Sequence, residues 1–78
     1  MNNVEISKDW LKQNADKICK IYVPCYGKGF VRWIQDEKID FMVEQDDGSF
    51  LYYIVTFDYV LEHKDEITIY LETPYSFI

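Results

Sequence analysis

Residues 39 to 57 hold the feature that most constrains folding: two apolar runs of strand length joined by Asp47-Gly48. Ile39, Phe41 and Val43 alternate with Asp40, Met42 and Glu44. That period of two turns one set of side chains toward a core and the other away from it. Asp46, Asp47, Gly48 and Ser49 supply a tight turn, because glycine and aspartate tolerate the backbone that short hairpin loops need. Phe50 to Phe57 then reads as a strand that is apolar on both faces. Such a strand is either central and buried on both sides, or exposed through its tyrosines at an interface. A chain built around this hairpin forms an antiparallel sheet.

N-terminal to the hairpin, Ser7 stands where a helix needs an N-cap, and Asp9 in the first turn opposes the macrodipole. Trp10, Leu11, Ala15 and Ile18 recur near the helical period, which predicts a short helix over about residues 8–16. A helix this short is marginal alone, so its Trp10 and Leu11 face packs on the sheet. From Lys17 the period becomes two, with Cys19, Ile21, Val23 and Cys25 on one side and Lys20, Tyr22 and Pro24 on the other. Pro24 marks an edge or a bend. Gly27, Lys28 and Gly29 read as the next turn, Phe30 to Ile34 as a second strand, and Gln35 to Lys38 as a polar turn. Beyond the central hairpin, residues 58–64 are ambiguous, but Phe57, Val60 and Leu61 have helical spacing, which favours a single helical or 3₁₀ turn over a continued strand. Ile67, Ile69 and Leu71 alternate with Thr68, Tyr70 and Glu72 in a last strand, which Pro74 ends. The predicted core holds Ile39, Phe41, Val43, Ile54, Ile67 and Ile69.

The fold class that follows is α+β, mostly β: a short N-terminal helix plus a strongly bent antiparallel sheet of about five strands. The element order resembles that of the small SH3-like barrels, a resemblance that implies nothing about function. The length predicts a single domain over residues 1–78, with the sheet over about 17–72 and a hydrophobic tail over 73–78. A chain of this size buries only about 60 to 65% of the surface that its unfolded form exposes, so its core has to be dense. The 49% apolar and 18% aromatic content meets that need and argues against disorder.

No apolar run approaches the roughly 20 residues that cross a bilayer, and the first residues have no basic segment followed by an apolar one. A cytoplasmic protein without a membrane partner is the expectation. Cys19 and Cys25 lie in one predicted strand, where about 3.3 Å per residue separates them by about 20 Å. A disulfide needs Cα atoms within about 7 Å, so both thiols are expected free, in keeping with a reducing compartment. One alanine and one arginine against nine isoleucines and seven lysines is the bias of an AT-rich genome, which points to a low-GC bacterium or its phage.

Catalytic chemistry is poorly provided for. His63, the single histidine, sits among Glu62, Lys64 and Asp65 in a charged, solvated segment. Ser7, Ser49 and Ser76 read as cap, turn and tail. No Cys and His spacing fits zinc, no glycine-rich nucleotide loop occurs, and Asp46 and Asp47 lack the spaced ligands and terminal glutamate of a calcium loop. Neither an enzyme nor a metal or cofactor is expected.

Charge is distributed unevenly. Residues 39–78 carry nine acids against Lys64 alone, a net of −8, whereas residues 1–38 carry seven bases and five acids. The acids Glu44, Asp46, Asp47, Asp58, Glu62, Asp65 and Glu66 lie among Tyr53, Tyr59 and Tyr70, and tyrosine is enriched at protein interfaces. These ten residues form the expected partner-binding set. The partner they suit is a basic protein surface, of the kind that holds nucleic acid, and the function expected is that of a non-enzymatic acidic inhibitor from a phage or mobile element that blocks such a groove in a host nuclease or defence complex. A small-barrel adaptor or self-associating subunit is a second reading, in which Tyr75, Phe77 and Ile78 dock on the chain's own sheet or on a second copy to form a homodimer. A third places nucleic acid on Lys20, Tyr22, Tyr26, Lys28, Arg32 and Trp33, but the acidic half disfavours direct binding of a polyanion.

Overall fold

A computed structural model describes residues 6–72. Within them a helix α1 (Lys8–Gln13) precedes strands β1 (Ile18–Val23), β2 (Gly27–Gln35), β3 (Lys38–Glu44) and β4 (Phe50–Thr56). A second helix α2 (Phe57–Glu62) and strand β5 (Thr68–Leu71) complete the order. The strands form one antiparallel sheet in the order β4-β3-β2-β1-β5. This sheet is uncurled. β4 and β5 stand at opposite edges and do not pair with each other, so the sheet does not close into an SH3-like barrel. The C-terminal tail with Tyr75, Phe77 and Ile78, and Ser76 within it, lies outside the described residues.

Both helices begin at the caps that local chemistry demands. The Ser7 hydroxyl accepts from the Trp10 N–H at 3.1 Å, and the Thr56 hydroxyl accepts from the Tyr59 N–H at 3.0 Å. α1 ends at Asn14, earlier than residue 16, because the chain turns there to enter β1. Residues 57–62 are α-helical, which settles the ambiguous segment after β4. Lys8 joins the helices by its ion pairs to Asp58 and to Glu37, at 3.2 and 3.5 Å. Lys12 adds a contact to Glu37 at 3.2 Å.

The helices cover one face of the sheet. Leu11, Phe57 and Val60 are buried against Ile18, Ile21, Val23, Ile39, Phe41, Val43, Val55 and Ile67, with Trp10, Val31, Ile34, Tyr53 and Ile69 packed around them. Of the predicted core, Ile39, Phe41, Val43 and Ile67 are buried and Ile69 packs against the cluster. Ile54 is a correction: it is 54% exposed. Its pairing opposite Asp40 puts it on the sheet's other face, and an apolar run on both sides of β4 gave no parity from which to choose.

The first hairpin also differs from expectation. β1 ends at Val23, the turn falls at Pro24–Tyr26, and Gly27 and Gly29 belong to β2. Gly27 takes φ +106°, as expected of a glycine at a turn. Gly29 serves close approach, because a Cβ there would lie 2.5 Å from the Met42 carbonyl oxygen and 2.8 Å from the Phe41 ring. Bulges between Ile18 and Lys20 and between Val31 and Trp33 shift the register of β1 and β2. Cys19 falls in the first bulge and Cys25 in the turn, and both thiols are free.

Candidate functional site

Alternation along each strand determines what the uncovered face presents. Across the five strands Tyr52, Met42, Phe30, Lys20 and Tyr70 lie in one register row. Trp33, Asp40 and Ile54 form a parallel row, and Tyr22 and Phe50 extend the surface along their strands. Seven of the ten large apolar side chains exposed among the described residues belong to this face: Tyr22, Phe30, Trp33, Phe50, Tyr52, Ile54 and Tyr70. Single exposed apolar residues are ordinary, but a contiguous apolar patch on a sheet marks an interaction surface.

Cations are laid over these rings. Lys20 Nζ is 5.3 Å from the Phe30 centroid, Lys28 Nζ is 5.0 Å from that of Tyr70, and the Arg32 guanidinium is 4.7 Å from that of Tyr52. A shallow pocket between β1, β2 and β3 is lined by Lys20, Lys28, Gly29, Phe30 and Glu44. With Lys38, which shares the parity of Asp40 and Glu44, the face carries four bases against two acids. It is a cationic island on a chain whose net charge is −6.

Asp40 is the polar exception on this face. It is 6% exposed beneath Arg32, whose Nη1 stands 3.5 Å from its Oδ1. That oxygen accepts no hydrogen bond, so the contact is ionic without hydrogen-bond geometry. A carboxylate desolvated under the guanidinium holds Arg32 across Tyr52.

The ten residues of the acidic set do not converge. Asp46 and Asp47 lie in the β3–β4 turn, with Glu44 beside them at the end of β3. The Asp47 carboxylate accepts from the Ser49 hydroxyl at 2.6 Å and the Ser49 N–H at 2.9 Å, and these bonds hold its pKa below the usual carboxylate range. Asp58, Tyr59 and Glu62 are on α2, with Asp65 and Glu66 in the turn that follows, on the covered side of the sheet. The Tyr59 hydroxyl donates to Cys25 Sγ at 3.9 Å, which, with desolvation, pushes its pKa up. Tyr53 turns to the core, stacked on Tyr26 at 4.3 Å and tilted against Phe41. Tyr70 alone of the set joins the row of rings on the open face.

His63 caps the C-terminus of α2, 4.4 Å from the Tyr59 ring and 3.9 Å from the Glu66 carboxylate. Among the described residues no group of three or more His, Cys, Asp or Glu could hold a metal ion, and no helix is long and apolar enough to cross a membrane. Phe30, Met42, Phe50 and Ile54 are the surface residues that sequence reasoning missed, whereas exposure of Tyr52 follows from the reading of β4 as exposed through its tyrosines. For Met42 a signal was present, since it alternates with the core residues Phe41 and Val43 in step with Asp40 and Glu44; for Ile54 it was not, because only its pairing with Asp40 fixes its face. Comparison with protein-family models, with curated proteins and with solved structures gives no match.

Proposed function

We propose that this chain is a non-enzymatic protein-binding module that docks through the open face of its sheet. The observation that carries this reading is the concentration of exposed rings on the face that neither α1 nor α2 covers. Its composition supports a protein partner: Tyr, Trp, Phe, Met and Arg are the types enriched at interface centres, and the one buried acid there is already neutralised by Arg32. Four bases interleaved with the rings favour a partner surface that combines acidic and apolar groups.

The three cation–ring pairs favour a second reading, in which single-stranded nucleic acid stacks its bases on Phe30, Tyr52 and Tyr70 and its phosphates meet Lys20 and Lys28. Rings two strands apart stand roughly 10 Å from one another, which suits splayed rather than continuously stacked bases. Acidic mimicry would instead use the β3–β4 turn or α2.

Capture of partners from source-cell lysate by the tagged chain, with and without nuclease, separates the three. The double variant Tyr22→Ser, Phe30→Ser should lose the partner while remaining folded, and Asp46→Lys with Asp47→Lys should keep the partner. The reverse pattern would return the function to the acidic turn, and loss on nuclease treatment would favour nucleic acid.

A further inference from the structure

We propose that β4 is a self-pairing edge: two copies of this chain join their Phe50–Thr56 strands antiparallel about a two-fold axis and so continue one sheet into the other. The inference goes beyond the docking face and rests on the backbone of a different element. The Gln45 N–H bonds the Ser49 carbonyl and the Phe57 N–H bonds the Glu37 carbonyl, so the hydrogen-bonded pairs between β3 and β4 are those of the odd-numbered residues. Phe50, Tyr52 and Ile54 therefore turn their N–H and C=O groups away from β3, to the side where no strand of the sheet lies.

An edge of this kind templates further pairing unless something blunts it. β4 has none of the usual guards among its seven residues: no charge, no proline, no glycine and no register shift against β3. The opposite edge, β5, is limited to four residues. β4 is also apolar and exposed on both sides, with Tyr52 at 57% on the open face and Leu51 at 47% on the face that the helices cover elsewhere. A neighbouring strand would shield both sides at once.

A second copy fits that place without any further assumption. Antiparallel pairing about a two-fold axis is self-complementary, and the register centred on Tyr53 overlaps all of Phe50–Thr56. It sets Tyr52 beside Ile54 of the second copy on the open face and Leu51 beside Val55 on the other, with no charged side chain in the seam. Arg32, which lies over the Tyr52 ring and is paired with Asp40, is the charge near the seam; beyond it each copy carries −6, and the acidic β3–β4 turn of one approaches the Asp58 end of the other. Association should therefore strengthen as salt screens this repulsion, opposite to an interface held by charge complementarity.

Sedimentation of the full chain across a wide concentration range, at low and high salt, tests the proposal. The mass should rise with concentration from 9.4 kDa toward twice that value, more readily at high salt. Ile54→Lys places two ammonium groups in the seam and should weaken association at least about tenfold. Tyr52→Pro removes an outward N–H without removing a bond to β3 and should do the same while leaving the monomer folded by circular dichroism. In the dimer the Tyr52 and Ile54 amides should exchange slowly, and in Ile54→Lys they should exchange freely. A wild-type chain that stays monomeric throughout, a dimer that survives both variants, or a mass growing beyond two chains would overturn the inference. Because Tyr22 and Phe30 lie on β1 and β2, loss of partner capture by their double variant tests the docking face independently of this edge.

Discussion

Phe41 and Phe30 occupy neighbouring strands of one sheet and end in opposite environments. Phe41 is fully buried beneath the helices, in contact with Tyr26 and Tyr53, whereas Phe30 is 47% exposed with Lys20 above its ring. The two faces of this sheet are almost equally rich in large apolar side chains, yet only one carries a core. Hydrophobicity alone therefore does not identify the interior of such a chain; what identifies it is which face α1 and α2 cover.

The largest expected effect sharpens that contrast. Phe41→Ala should cost about 3 to 5 kcal/mol, a large part of the roughly 4 to 12 kcal/mol expected for a chain of this length. Phe30→Ala, with half its surface already in water, should cost less than about 1 kcal/mol. Thermal or denaturant unfolding of both variants measures the difference, and equal losses would mean that the open face is packed in solution.

Gly29 extends the comparison to the backbone. It pairs with Ile21 on the covered side, and its missing side chain is the space in which the Phe41 ring lies. Gly29→Ala should cost about 1 to 3 kcal/mol, since the obstruction includes the Met42 carbonyl rather than a flexible side-chain end. Gly48→Ala meets nothing within 4 Å, so its cost of about 1 kcal/mol arises from the φ of +89° alone. Unfolding midpoints of the two alanine variants should therefore rank Gly29 below Gly48.

These residues also indicate how much was legible in the sequence. β3 was readable because Asp40 and Glu44 supply parity to its apolar residues, and the Asp-Gly turn and the Ser7 cap each have a local mechanism that tertiary packing does not override. The faces of β4 were not, since a run without polar residues looks alike in either register. Gly29 read as a turn residue because close approach and positive φ require the same residue type. The site was partly hidden by a similar degeneracy: apolar residues in a strand read alike on either face, and only the covering helices reveal that Phe30, Phe50 and Ile54 are not core, whereas Tyr70 already belonged to the expected partner-binding set.

Asp40 and Arg32 break the rule that the open face is solvated, and they set the next effect. Replacing Arg32 by Met leaves a buried carboxylate without its counter-charge, which should cost about 1 to 3 kcal/mol. Asp40→Asn removes the charge as well and should cost less, because the orphaned group is then neutral. A double-mutant cycle on the pair measures the coupling. If Arg32→Met were the milder of the two, the pair would be held by packing on Tyr52 rather than by charge.

The smallest expected effect concerns how acid reaches the two layers. Lys12, by hydrogen bond and charge, and Lys8, chiefly by charge, hold the Glu37 carboxyl below its ordinary pKa and so tie α1 to the β2–β3 turn. Asp47 is depressed by the Ser49 hydroxyl and N–H instead. A carboxyl whose folded pKa is lowered contributes stability that is fully present above its unfolded value and is lost as pH falls through the folded one. Both contributions should therefore be present at neutral pH and vanish in acid, so Glu37→Gln and Asp47→Asn should differ from the parent near pH 7 and converge with it well below the carboxylate range. Both groups are exposed, which keeps the differences small. Salt separates them: the Glu37 difference should shrink at high ionic strength because it is an ion pair, whereas the Asp47 difference, made by neutral donors, should persist. Melting curves of the two variants across pH at low and high salt measure this directly, and a Glu37 effect that ignored salt would show that the helical layer is held to the sheet by its apolar contacts alone.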